Sequence, residues 1–233
     1  WAAATAGGGA AGVTTDDTRR IDHTVYSLAN NPVVAARQAT LIYCNGVGTG
    51  GKVWYYPSDR DGTTYTYFPL TTTAPYPNLT NFMAESVCTA AERVIFLGTS
   101  ENGVSYPQRV RWTSQSWTDL TSATAVWNNI VDGGAGGLDL VEFAGKGLRI
   151  LPQGDRVVTY FSDGVAVLEP TGRTVPAFTR GYVTKTRGLL GKGTVVDLGG
   201  GVHFGLFTDG FWFFTEGGEW KEAGLGNFND ART

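Results

Sequence analysis

The chain has 233 residues, 42% of them hydrophobic and 12% aromatic, and 18 basic against 21 acidic residues leave a formal net charge of -3. That apolar content supports a core of ordinary size and excludes a disordered tail. The acidic balance excludes binding to nucleic acid through bulk positive charge, which needs clustered Lys and Arg. Thirty threonines and 33 glycines against five lysines favour strands and turns over helix surfaces, so an all-β chain is expected. Thirteen of the 18 basic residues are Arg, which suits planar pairing at protein interfaces. No stretch reaches the roughly 18 apolar residues of a spanning helix, and a soluble chain without a membrane partner is expected. Cys44 and Cys88 stand in apolar runs and read as buried free thiols rather than a disulfide. The chain starts at Trp1 and holds a single methionine, Met83, and so reads as processed or partial.

In chain order, residues 1–30 open on WAAATAGGGAAGV, a small-residue segment without a period, and continue into the charged stretch Asp16 to Asp22. They read as an extended Ala/Gly-rich arm, with the folded domain over 31–233. Six Asn-Gly or Asp-Gly pairs punctuate the chain, at Asn45, Asp61, Asn102, Asp132, Asp163 and Asp209, and each supplies the positive φ angles of a tight hairpin. RVVTYFSDGVAVLEP, from Arg156 to Pro170, reads as two strands around Asp163-Gly164, and Gly201 to Trp220 repeats the pattern around Asp209-Gly210. Residues Asn78 to Glu92 fit a helix with Thr80 as N-cap and Phe82, Val87 and Ala91 on one face, and fit equally a strand leading into Arg93.

The apolar strands line up as four blade-like units anchored at Leu41, Val94, Val157 and Phe204, with separations of 53, 63 and 47 residues. These lie near the roughly 40–50 residues of a four-stranded propeller blade, so a β-propeller-like domain is expected, complete in itself or part of a larger propeller. A β-sandwich is the competing architecture.

Catalytic and ligand motifs fall short at identifiable positions. Gly46 to Lys52 matches the start of a phosphate-binding loop, but Val53 stands where the Mg²⁺-binding hydroxyl belongs and a strand follows where a helix should open. Ser58 to Tyr65 approaches the Asp-box turn of sialidase-type propellers with Arg60 in place of the key Asp; its Asp59 and Asp61 do not keep calcium-loop spacing and read as solvated turn carboxylates. Gly98 to Gly103 misses a nucleophile elbow because Asn102 replaces the second glycine. His23 and His203 belong to no metal-binding pattern, and His203 reads as structural. Asp197 and Glu142 are strand-borne acids that no spacing singles out as a glycosidase pair. The aromatic runs Trp54 to Tyr56 and Phe211 to Phe214 read as sheet-on-sheet packing, with an aromatic sugar platform as the alternative. Asn78-Leu-Thr80 is a chance glycosylation sequon.

Glu92 to Ala125 carries Arg93-Val94, then Arg109-Val-Arg-Trp112-Thr113, then Trp117-Thr-Asp119-Leu120. This succession resembles a motif of β-propeller tail nozzle proteins and of the packaged-DNA stabilisation, or head-closure, proteins of tailed bacteriophages. The following segment, from Ile130 to Val167, resembles the next blade of those proteins, which are usually much longer than this chain. The resemblance implies a structural virion protein located in the phage tail: a homo-oligomeric ring, six-fold by analogy, that meets adjacent tail or adaptor proteins, touches passing DNA without specificity, and lines or closes the DNA channel. Such a protein is not an enzyme and needs no cofactor or metal. The alternative from the residues themselves is a carbohydrate-binding or glycosidase-like propeller. Arg109 and Arg111 share one face of their strand and Val110 and Trp112 the other, so the apolar pair is expected in the sheet stack and the arginines at a charged partner or the channel rim.

Overall fold

The computed structural model describes residues 22–27, 39–44, 46–47, 53–57, 66–67, 79, 82–115, 126–127 and 134–224. These residues are all-β and form four four-stranded sheets, each an antiparallel meander in chain order. Sheet 1 holds β1 (Asp22–Ser27), β2 (Ala39–Cys44), β3 (Val53–Pro57) and β4 (Thr66–Tyr67). Sheet 2 holds β5 (Met83–Ala90), β6 (Arg93–Glu101), β7 (Val104–Trp112) and β8 (Gly136–Asp139). Sheet 3 holds β9 (Gly147–Gln153), β10 (Arg156–Phe161), β11 (Gly164–Pro170) and β12 (Phe178–Thr184). Sheet 4 holds β13 (Val195–Asp197), β14 (His203–Phe207), β15 (Gly210–Phe214) and β16 (Trp220–Glu222).

Three apolar layers join the sheets, and the two-residue period of a strand assigns neighbouring residues to different layers. Val94 and Phe96 of β6 pack with Ile42, Cys44 and Val53 of sheet 1, whereas Ile95 and Leu97 pack with Ile150, Val157 and Phe161 of sheet 3. In turn Val158 and Tyr160 of β10 pack with Val195, Phe207 and Phe214 of sheet 4. Sheets 2 and 3 are thus covered on both faces, which is why β6 is buried along its whole length and reads as an unbroken apolar run. The first strands are neighbours in sequence order, β1 beside β5, β5 beside β9 and β9 beside β13.

One expectation changes and one open alternative is decided. Residues 22–27, placed in the arm by composition, pair with β2 through the register Asp22↔Cys44 to Ser27↔Ala39, so the sheet begins inside the segment assigned to the arm. The alternation in Asp-His-Thr-Val-Tyr-Ser is a strand signal that the flanking Ala/Gly-rich composition outweighed. In the stretch 78–92 the strand reading holds for Met83–Ala90, because β6 pairs along it and the chain turns at Ala91 and Glu92 with φ of 46° and 56°. A helix would have left the buried β6 without its ladder on that side.

The Asp-Gly and Asn-Gly signals mark turns for two different reasons. Asn102 and Gly103 have φ of 54° and 81°, both positive as a two-residue hairpin between β6 and β7 requires. Gly164 opens β11 opposite Phe161 and is absent from the positive-φ residues; a Cβ there would run into the Thr184 carbonyl oxygen of β12 and the Phe143 ring. Its glycine serves close approach. Asp61-Gly62 and Asp132-Gly133 lie outside the described residues.

Candidate functional site

Strand β7, which carries Arg109-Val-Arg-Trp112, presents its arginines to carboxylates of the same sheet. Glu101 ends β6 just before the Asn102-Gly103 turn and is only 6% exposed. Its Oε1 accepts from Thr99 Oγ1 at 2.9 Å and Arg111 Nε at 3.1 Å, and its Oε2 from Arg111 Nη2 at 2.5 Å and Arg109 Nη1 at 3.2 Å. Arg109 meets its register partner Asp139 of β8 with two parallel bonds, Nε to Oδ1 at 2.6 Å and Nη2 to Oδ2 at 2.8 Å. Its guanidinium also lies 3.6 Å from the centre of the Tyr106 ring. This fork geometry is the strong form of the Arg–carboxylate bond. The hydrogen bonds from Arg109 hold the Asp139 carboxyl below the usual carboxylate range, and those to Asp139 raise the Arg109 guanidinium above its ordinary value. Both arginines remain partly accessible, with side-chain exposures of 19% and 13%. On the opposite face Val110 and Trp112 are buried in the layer facing sheet 3, where Trp112 meets Phe178 edge-on at 5.3 Å and donates its indole N–H to the Gly134 carbonyl at 2.9 Å.

A second charged cluster gathers near the starts of the first strands. Asp22, at the head of β1, accepts hydrogen bonds from Ser86 Oγ and, at 3.1 Å, from the Val87 amide of β5. Ser86 Oγ in turn accepts from the Ile150 amide of β9 at 3.0 Å, so a side chain of β1 reaches the backbone of β5 and a side chain of β5 that of β9. Arg149 of β9 pairs with Asp22, linking sheets 1 and 3, and Lys192, just before β13, donates to the Glu85 carbonyl of β5, linking sheets 4 and 2. Side chains from the four sheets therefore meet where the first strands converge. Cys44 lies beside this cluster, and burial pushes its thiol up to about 12, with Asp22 and Glu85 adding to the rise against Lys192 and Arg149. Cys88 is raised by the same cause, so burial holds both free thiols in the protonated form at neutral pH.

A third polar contact joins sheets 3 and 4. His203 of β14 is 1% exposed; its Nδ1 lies 2.7 Å from the Tyr160 hydroxyl of β10 and its Nε2 2.9 Å from the Pro152 carbonyl of β9.

Among the described residues the remaining candidates do not converge. Glu142 pairs with Arg180 at 3.1 Å beside sheet 3, while Asp197 on β13 accepts from the Gly199 amide at 2.7 Å. Ser100 sits within β6, paired in register with Met83 and Ser105, rather than on a strand-to-helix turn. His23 is exposed on β1. Val53 begins a strand, as read, but Gly48 to Lys52, Ser58 to Tyr65, Asn78 and Trp117 to Leu120 lie outside the described residues. Trp212 turns toward Trp220 and Arg187, whose guanidinium lies 3.8 Å from its ring centre, while Phe204, Phe211 and Phe213 form the outer face of sheet 4.

Sequence reasoning missed Glu101 and Asp139 as partners of the arginines, and Asp22 and Arg149 as partners of one another. A local signal existed for Glu101, which precedes a hairpin turn and so stands across from the next strand. None existed for Asp22 and Arg149, 127 residues apart. No protein-family model matches the chain and no curated protein matches it.

Proposed function

We propose that the chain is a structural virion protein of a tailed phage, a ring-forming tail nozzle or head-to-tail joining component whose four sheets are blades of a β-propeller. The observation that carries this reading, beside the resemblance at Arg93 to Leu120, is the open apolar face of sheet 4 at one end of the stack. On sheet 4, Val196 and Leu198 are 45% and 57% exposed, and the Phe204 and Phe211 rings lie stacked at 5.8 Å on the same side of the stack. Apolar sheet faces of this kind are built to be covered by another protein surface. The chemistry of the described clusters is pairing: each arginine of β7 is matched to a carboxylate, which suits a part that holds its shape.

The polar ties among the first strands support one detail of this reading. DNA passes along the axis of the assembled ring and not through the stack of a single chain, with Arg109 and Arg111 at a rim or subunit contact. The flat placement of the phenylalanines and the inward turn of Trp212 favour side-to-side packing over a concave sugar site. Mass spectrometry of purified particles and native mass measurement of the isolated chain test the proposal. The chain is expected in virions and in an oligomer above the 24.9 kDa monomer; a strict monomer absent from particles overturns it.

A further inference from the structure

His203 is a buried titratable side chain at the seam between sheets 3 and 4, and both of its ring nitrogens are engaged across that seam. A carbonyl oxygen only accepts, so Nε2 carries the hydrogen that meets Pro152, and Nδ1 is the bare nitrogen that accepts from the Tyr160 hydroxyl. The neutral ring is thus a two-ended clasp tying β14 to both β9 and β10. We propose that this clasp is an acid-operated latch: protonation of His203 Nδ1 releases sheet 4 from sheet 3.

The chemistry follows from the partners. A proton on Nδ1 removes the acceptor of the Tyr160 hydroxyl. The hydroxyl oxygen then accepts from Nδ1, but its own hydrogen is left without an acceptor, because His203 is the hydrogen-bond partner of Tyr160 among the described residues. The imidazolium charge also sits in an apolar layer of Val158, Val165, Val167, Phe207 and Phe214. The groups facing the ring are the Pro152 carbonyl from β9, Tyr160 from β10, Phe214 as its partner on β15, and Asp197 as its partner on β13. Asp197 is the one charged group among them, and its carboxylate is exposed and bound to the Gly199 amide. Burial lowers the His203 pKa from its ordinary value against the opposing effects of the Pro152 hydrogen bond and Asp197. The direction of the pH effect is then set: opened sheet 4 binds the proton and closed sheet 4 resists it, so attachment is complete above about pH 6.5 and weakens as the pH falls below that value.

Hydrogen exchange on the whole chain at pH 7.5 and 5.0, corrected for intrinsic rates, reads the latch. Amides of Phe204–Phe207 and Phe211–Phe214 are expected to lose protection by up to about 30-fold at pH 5.0, the ceiling set by an ordinary imidazole value near 6.5. Amides of β6 in sheet 2 are expected to keep theirs, and His203→Gln is expected to abolish the pH difference. The nitrogen chemical shifts of His203 in the unsubstituted chain give a second readout that needs no variant, and the ring is expected to titrate only as sheet 4 opens. Equal protection of sheet 4 at both pH values, equal loss in sheets 2 and 4, or an undiminished loss in His203→Gln overturns the latch. The inference uses only the fold, so a chain found outside virions leaves it standing.

Discussion

The two seams flanking sheet 3 are built from different materials. Toward sheet 2 the contact is mainly apolar, with the Ser86 hydroxyl on the Ile150 amide as a non-titrating polar tie: Trp112 against Phe178, Phe143 stacked on Phe161 at 4.1 Å, and Leu97 and Val110 in the layer between them. Toward sheet 4 the apolar layer is interrupted by the His203 clasp, and its margins are tied by Gln153 to the Gly201 carbonyl at 2.8 Å and by Arg156 to the Glu216 carbonyl at 2.9 Å. Apolar burial is indifferent to pH, whereas a buried imidazole is not. The same stacking principle therefore yields one seam whose strength is fixed by packing and one whose strength depends on conditions.

The largest test breaks the first seam. Trp112→Ala removes a buried indole and its bond to Gly134, and is expected to cost about 3–5 kcal/mol in urea unfolding, equally at pH 7.5 and 5.0. On the other face of the same strand, Arg111→Ala leaves Glu101 buried with Arg109 and Thr99 as its remaining side-chain partners. A loss of about 1–3 kcal/mol is expected, the range for a charged hydrogen bond whose partner stays buried. Weakened association is expected beside that loss, and an unchanged melting temperature would show that Arg111 serves the subunit contact alone.

Tyr160→Phe sharpens the second seam. It deletes the donor to His203 and is expected to cost about 1 kcal/mol at pH 7.5 and again at pH 5.0, because the closed clasp keeps its ring neutral at both values. Unfolding curves of the variant at the two pH values should therefore stay as far apart as those of the parent chain. The smallest effect lies away from both seams. Glu92 holds a φ of 56° in the β5–β6 turn, and Glu92→Gly relieves that strain at the loss of an exposed bond to Gln115. Thermal melting is expected to show a gain of up to about 1 kcal/mol.

The sequence by itself determined the strands and most of their local order. Runs such as Arg93–Glu101 and Arg156–Phe161, separated from their partners by Asn102-Gly103 or Ser162-Asp163, specify hairpins because turn geometry and two-residue alternation act over neighbouring residues. The same alternation placed Val110 and Trp112 on the face opposite Arg109 and Arg111. Contacts between distant parts of the chain were decided only by the tertiary structure. Which carboxylates meet the arginines depended on the register of β8 against β7, and the pairing of Asp22 with Arg149 depended on the convergence of β1 and β9 across 127 residues. The burial of His203 followed the same rule: Val202 and Phe204 mark a strand, but only the docking of sheet 4 onto sheet 3 set Tyr160 and Pro152 against the two nitrogens of its ring. Local propensity is written in adjacent residues, whereas desolvation and charge pairing arise only when separate sheets exclude water between them.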